Sequence, residues 1–425
     1  MSDEMLVIAD LHLHSKYARA TSKEMDLKGI AEGAKLKGLN VVGTGDFTHP
    51  IWLEELKDKL KPLGNGLFEY DNVYFLLSCE VATHFEYEGK EKKVHHVIHA
   101  PSFEIVDQIN ECLSPYGNLK VDGRPVLSLS APELVEMLLE ISNDIVIYPA
   151  HAWTPWYGIL GSKSGFDSIR ECYQDQTKHI FAIETGLSSD PPMNWRLSSL
   201  DDFTLVSNSD SHSPWAWRLG REANVFDLKE MSYKEIFDAI RKKDKKKFLY
   251  TIEVPPSYGK YHFDGHRKCN VRLSPTEAQK FNNVCPKCGK KLTIGVLHRV
   301  EELADRPEGF VPKDYIPFKS IIPLYEVISH VLGVKQLYSQ KVMKEHDKLI
   351  EKFGSELNIL LNVPEDELRK VTSEKIVSAI IKMRKGKVKF IPGYDGVYGI
   401  PVFEEDKEEE SLSFCSQKSL LDLEK

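Results

Sequence analysis

From residue 5 to about residue 226, short apolar runs alternate with stretches of helical period. The runs are MLVIA at 5–9, NVVG at 40–43, VYFLL at 73–77, DIVIY at 144–148, HIFAIE at 179–184 and TLVS at 204–207. Runs this short, apolar at consecutive positions and bounded by polar residues, predict buried parallel strands with helices packed over them. The alternation predicts an α/β fold, either a barrel or a doubly wound sheet.

Beyond residue 240 the pattern changes. A basic stretch, RKKDKKK at 241–247, leads through Pro255-Pro256 into a segment rich in histidine and cysteine, and from 321 to 383 apolar residues recur at helical spacing, as in IIPLYEVISHVLG and KIVSAIIKM. After Pro401 the acidic run EEDKEEE reads as a flexible linker ending in SQKSLLDLEK. We therefore divide the chain into a catalytic domain over 1–250, a metal-binding module over 251–305, a mainly helical domain over 306–400 and an acidic tail over 401–425.

Composition narrows the class. At 425 residues, 41% hydrophobic and 28% charged, the chain can bury several cores and is too apolar for global disorder. Its net charge of −8 is uneven, because residues 404–425 carry eight acids against three lysines. Basic clusters upstream keep an anionic partner open. No apolar run approaches the roughly 20 residues needed to span a bilayer, and the opening MSDEMLVIAD lacks the pattern of a secretory signal, so no membrane partner is expected and the expected location is cytoplasmic.

The apolar runs end in metal-binding side chains. His12 and His14 follow the first, Asp46 and His49 the second, Glu80 the third, and His151, Glu184, Asp210 and His212 the later ones. Parallel α/β folds gather their active sites at the carboxyl ends of strands, so these groups should converge. His-x-His puts two imidazoles on one face of a strand end. The segment VHHVIHA at 94–100 adds three more histidines that cannot all face one way, so one or two are expected as ligands; His96 is taken as one, with His95 and, after the second run, His49 left open. Leaving so many such groups together without ions would be costly. The expected ligands of a multinuclear centre are His12, His14, Asp46, Glu80, His96, His151, Asp210 and His212, holding two or three divalent ions of Zn, Mg or Mn. Such a centre suits phosphoester hydrolysis, with Glu80 as bridge and with Asp210 and His212 either binding metal or handling protons. Glu184 either orients a ligand histidine or ligates directly.

A second constellation lies downstream. His266-x2-Cys269 and Cys285-x2-Cys288, fifteen residues apart, have the spacing of a zinc ribbon with one cysteine replaced by histidine. All four places are filled by protein, so a structural zinc is expected; His262 is the alternative imidazole.

The ordered motifs ADLHLHS, TGDFTH, SCE, VHH, PAHAW, IETG and NSDSH resemble the PHP (polymerase and histidinol phosphatase) superfamily over about residues 5–225. The resemblance implies a distorted (β/α)7 barrel with a trinuclear metal centre that hydrolyses phosphoesters. One departure stands out: where members often carry Asp-His after the second strand, Phe47 follows Asp46. Adding HSKYARATSKEM, YHFDGHRKC, CPKCGK, GVLHRVEELADRP and KFIPGYDGVYG, the whole chain resembles the endonuclease Q family of DNA-repair nucleases. That implies cleavage 5′ to uracil, hypoxanthine, xanthine and abasic sites. Selecting such a base inside a duplex requires taking it out of the stack. Tyr17, Arg19, Lys23, Trp153, Trp156 and Trp215, in loops beside the metal ligands, are the expected DNA contacts. Gln417, Leu420 and Leu423 resemble a motif that docks on the PCNA sliding clamp. The rival readings are a phosphatase of small phosphomonoesters and a non-catalytic DNA- or clamp-binding scaffold.

Overall fold

The computed structural model describes residues 5–403. The tail motif at Gln417, Leu420 and Leu423, and the acidic run before it, lie outside the described residues. Among the described residues, no helix is long and apolar enough to cross a membrane.

The apolar runs form strands, and these are mutually parallel as expected. Met5–Asp10 pairs with Val41–Gly43, and that strand pairs with Val73–Tyr87. Ala182–Glu184 pairs with Thr204–Val206, whose continuation returns to the first strand through a parallel bridge between Ser211 and Leu13. Strands that the apolar runs do not announce are interleaved. Lys90–Ala100 runs antiparallel between Val73–Tyr87 and Val146–Pro149, and Ala223–Leu228 lies antiparallel to Met5–Asp10. Both escape a search for continuous apolar runs, since one opens on KEKK and the other breaks its apolar residues with Asn224 and Asp227. Val7, Val41, Leu76, Val97, Val146, Ala182, Val206 and Phe226 belong to one buried cluster, so these strands share an apolar interior. Helices cover the outside, each started by a local signal. Ser130 and Glu133 form a reciprocal capping box at Ala131–Ile141, and Asp26 accepts from the Gly29 amide at Leu27–Lys37.

The boundaries are softer than the sequence suggests. Phe248–Glu253 still pairs with Ala223–Leu228, and Phe318–Ser320 adds a parallel strand to its far side. The histidine- and cysteine-rich segment forms a short hairpin, Asp264–His266 with Val271–Leu273, over a core of Val271, Leu273, Ala278, Cys285 and Leu292. Five helices between Leu324 and Arg384 follow, and a last hairpin, Lys389–Ile391 with Ile400–Val402, returns toward the module, where Tyr394 packs on Gly265.

Candidate metal centre

The strand ends bring together two sets of donors that share one carboxylate. His12, His14, Glu80 and Asp210 offer ligand atoms all within 4.8 Å of one another, as do Glu80, His95 and His151. Nε2 of His14 lies 3.1 Å from both Glu80 Oε2 and Asp210 Oδ1, while Glu80 Oε1 is 2.7 Å from Nδ1 of His95 and 3.0 Å from Nε2 of His151. The backbone makes sharp turns to aim these groups. Asp46, His151 and Asp210 have φ of 51°, 27° and 47°. Asp46 and Asp210 lie near the left-handed well that a short polar side chain tolerates, whereas His151 falls short of it and is strained, as functional residues often are. Gly186 makes room for the turn at His151, because a Cβ on it would lie 2.7 Å from that of His151.

The donor set fits divalent ions on the evidence of its orphan atoms. Nε2 of His12, Nε2 of His14 and Oδ1 of Asp210 are buried and make no hydrogen bond, an expensive arrangement unless a cation is bound. The opposite ring nitrogens are held from behind. Nδ1 of His12 lies 3.0 Å from Glu184 Oε2, and Nδ1 of His14 lies 2.9 Å from Asp46 Oδ1. Carboxylates in that position fix the tautomer and point the bare Nε2 lone pairs at the ion. Burial works against the Glu80 carboxylate, but His95, Arg124 and the neighbouring His12 and His14 rings hold it well below the usual carboxylate range. Burial likewise opposes ionised Asp210, and His14, His212 and His12 outweigh it. Both are therefore anionic and ready to bind metal.

The structure sorts the sequence-predicted residues differently. His96 lies outside both donor sets: its ring nitrogens engage the Thr83 and Tyr173 hydroxyls at 2.8 and 2.7 Å, and burial pushes it down to about 3. His95 stands in the set with Glu80 and His151. On Lys90–Ala100 the odd-numbered positions share the face of Val97, which points into the interior, and His96 points away. Asp46 stands behind His14, with its second oxygen taken by the amide and hydroxyl of Ser15 at 2.6 and 2.7 Å. Glu184 has the same supporting role, since it also accepts from the His151 amide at 2.9 Å and from Asn208 Nδ2 at 2.8 Å. His212 stands at the mouth, outside both donor sets. Its Nδ1–H donates to the Asp210 carbonyl at 3.0 Å, which leaves Nε2 as the lone-pair nitrogen, and the side chain is 32% exposed.

Arg124, missed in the sequence, reaches the centre and lies 3.2 Å from Glu80 Oε2. Trp153 is buried, its indole N–H donating to Asn194 at 2.8 Å, and is removed from the expected DNA contacts. Trp156 and Trp215 are exposed, as are Arg19 and Lys23. Tyr17 stacks on His49 and donates its hydroxyl to Glu55. In the module, His266, Cys269, Cys285 and Cys288 converge within 4.8 Å.

A structure of the lesion-specific endonuclease PfuEndoQ from Pyrococcus furiosus is similar at TM-score 0.86 and 36% identity, covering 99% of each chain. An endonuclease Q in complex with a 27-mer duplex with an abasic lesion at the active site is similar at TM-score 0.85 and 36% identity, covering 99% of this chain and 100% of that one. The family described as the MJ0043 C-terminal domain matches residues 323–387. The Methanocaldococcus jannaschii protein MJ0043 is itself 37% identical over 261 residues, 61% of this chain and only 32% of its own length. With two solved relatives matched along essentially their whole length at that identity, this chain belongs to the endonuclease Q family.

Proposed function

We propose that this protein is a metal-dependent DNA-repair endonuclease that hydrolyses the phosphodiester 5′ to deaminated bases (uracil, hypoxanthine and xanthine) and abasic sites. The observation that carries the reading is the pair of donor sets sharing Glu80, in a chain resembling endonuclease Q from end to end. We read the strands around the shared interior as the distorted (β/α)7 barrel of the PHP superfamily.

His12, His14, Glu80 and Asp210 would hold one ion, and Glu80, His95 and His151 a second. Divalent ions there would supply an acidified water and charge neutralisation on the phosphate. The protein's own part is positioning and proton handling. Glu184 and Asp46 fix the His12 and His14 rings, and His212, with Nε2 free at the mouth, takes the proton from the attacking water. The bond that breaks is P–O3′, leaving a 3′ hydroxyl upstream and a 5′ phosphate on the damaged nucleotide.

The lesion is read from an extruded base. Deamination replaces an amine donor by a carbonyl acceptor, so a selective pocket presents donors. A cavity of about 530 Å³ lined by Leu187, Arg218, Arg221, Tyr258, His330 and Tyr398 is large enough for one base. Arg221 joins it to the centre by bonding the carbonyl of Ser209, next to Asp210. Trp156, Trp215, Arg19 and Lys23 are the exposed DNA contacts of this reading. The four zinc donors would hold a structural zinc, and Gln417, Leu420 and Leu423 would engage a PCNA clamp.

The test is to incubate the protein with end-labelled duplexes carrying uracil, hypoxanthine, an abasic site or no lesion, with Mg²⁺ or Mn²⁺ and with chelator. A metal-dependent nick immediately 5′ to the lesion is expected. Absence of any nick, with phosphate released from phosphomonoesters, would replace this reading with that of a small-molecule phosphatase.

A further inference from the structure

We infer that Arg124 is a catalytic residue, a fixed cation whose guanidinium grips a non-bridging oxygen of the scissile phosphate beside the ions. The inference rests on the phosphodiesterase reading above and goes beyond it in assigning a residue that the metal-ligand pattern does not contain.

The residues on either side of it are tied to three parts of the centre. The Gly123 amide donates to the Tyr17 carbonyl at 3.1 Å, the Thr48 hydroxyl donates to the Gly123 carbonyl at 3.2 Å, and the Ala82 amide donates to the Pro125 carbonyl at 2.9 Å. Tyr17 follows the His-x-His turn, Thr48 follows Asp46, and Ala82 is two residues beyond Glu80 on the same strand. The loop also sits hard against Asp46, since a Cβ at Gly123 would come within 2.4 Å of Asp46 Oδ2. Glycine is what allows Arg124 to start so close to the centre. A long, flexible side chain anchored this way loses little further freedom on engaging a substrate.

The head group is equally placed. Arg124 lies 3.2 Å from Glu80 Oε2, the same oxygen that faces His14 Nε2 at 3.1 Å and His12 Nε2 at 3.8 Å. Its charge acts on Asp210, His95 and His212, members of both donor sets and of the mouth. The side chain is 26% exposed, and its bond to Glu80 uses a single nitrogen of a fork with five N–H donors. A pure structural ion pair would bury the fork and satisfy more of it. A half-open guanidinium beside a shared metal carboxylate matches the geometry of two phosphate oxygens.

The surroundings leave a task for such a cation. Hydrolysis adds negative charge to the phosphoryl oxygens, which must be neutralised as it develops. In the catalytic half, only two clusters of donors form among the described residues. Of the residues after the second strand, Asp46 is committed to His14 and Ser15, Phe47 is fully buried, and His49, stacked on Tyr17 with ring centroids 4.5 Å apart, belongs to neither set. Arg124 brings a permanent positive charge to a centre that assembles donors for two ions.

Arg124→Gln and Arg124→Lys in the full chain test the inference through three readouts. Ion content after metal loading and dialysis should equal that of the unchanged protein. Inorganic phosphate, titrated calorimetrically into the metal-loaded protein without DNA, should bind about tenfold more weakly to Arg124→Gln, with Arg124→Lys in between. Single-turnover cleavage of an abasic duplex at saturating protein should fall about a hundredfold or more in Arg124→Gln, while duplex affinity measured in chelator stays within about threefold. Phosphate affinity within twofold of the unchanged protein, or a change in the number of bound ions, would overturn the inference. If the unchanged protein nicks no lesion duplex and phosphate binding still weakens, the endonuclease reading fails and the phosphate contact stands. Far-ultraviolet circular dichroism on both variants separates these outcomes from misfolding, and Arg124→Lys, which keeps the charge, carries the test if the glutamine variant does not fold.

Discussion

Nδ1 of His14 and Oδ1 of Asp46 lie 2.9 Å apart, a contact that sets Asp46 behind the ring and outside both donor sets, where it would aim a ligand rather than be one. The two roles differ in what removal does. A lost ligand removes a coordination bond, whereas a lost support leaves the ring in place and free to turn, which typically costs about 10- to 100-fold in metal affinity. Asp46→Ala should therefore still bind the full complement of ions at high metal concentration and release them at lower chelator concentration than the unchanged protein. Loss of an ion at every metal concentration would make Asp46 a direct ligand.

His95 and His96 are adjacent in sequence and opposed in role. His95→Ala should lower ion content by one and abolish cleavage, because Glu80 and His151 alone make a poor site. His96→Ala should keep its ions and lose stability of about 1–3 kcal/mol, since it strips buried partners from Thr83 and Tyr173. Elemental analysis beside a denaturation curve checks both; a missing ion in the His96 variant would restore the assignment made from sequence.

Much of the centre was legible because polar residues at the ends of apolar runs stand out. His12, His14, Glu80, His151 and Asp210 were found that way, and they do converge. The choice between His95 and His96 was not legible. Both faces of Lys90–Ala100 are buried from Val94 onward, so the period-two contrast that marks an inward face is missing. Arg124 escaped for another reason: it follows no apolar run and is no metal ligand. Trp153 looked like a loop aromatic because nothing in its local sequence reveals the Asn194 that buries it, 41 residues on. In the fold, the strands written in apolar runs run parallel, and the antiparallel ones Lys90–Ala100 and Ala223–Leu228 interleaved with them were not announced.

His266, Cys269, Cys285 and Cys288, the donors we propose for zinc, sit on a very small core. Only Val271, Leu273, Ala278, Cys285 and Leu292 are buried together there, too little apolar area to hold a module without a staple. Cys288→Ser should lower zinc content by one while leaving the ions of the catalytic centre bound. It should also open residues 266–290 to limited proteolysis at temperatures where the rest of the chain resists. Unchanged zinc content would shift the ligand role to His262, whose Nδ1 is buried and makes no hydrogen bond.

Lys37 and Glu356 form a fully buried ion pair between the helices Leu27–Lys37 and Glu356–Leu361, with His346 Nε2 3.1 Å from the other carboxylate oxygen. Burial opposes the Glu356 charge, but Lys37 and His346 outweigh it, so the folded carboxyl titrates below its ordinary value of 4.5. A carboxyl whose pKa is lowered by folding contributes stability above its unfolded value and loses that contribution as pH falls through the folded one. Glu356→Gln strands the Lys37 ammonium at every pH, which for a buried pair costs about 3–5 kcal/mol. The stability gap between this variant and the unchanged protein should thus be full at neutral pH and begin to close only below about pH 4.5, as protonation of Glu356 strands Lys37 in the unchanged protein too. The double variant Lys37→Met, Glu356→Leu should recover most of the loss, because it removes both charges instead of orphaning one. Denaturant melts at pH 7 and at pH 4 on the three proteins measure this, and a gap that does not narrow in acid would mean that Glu356 carries no charge in the folded state.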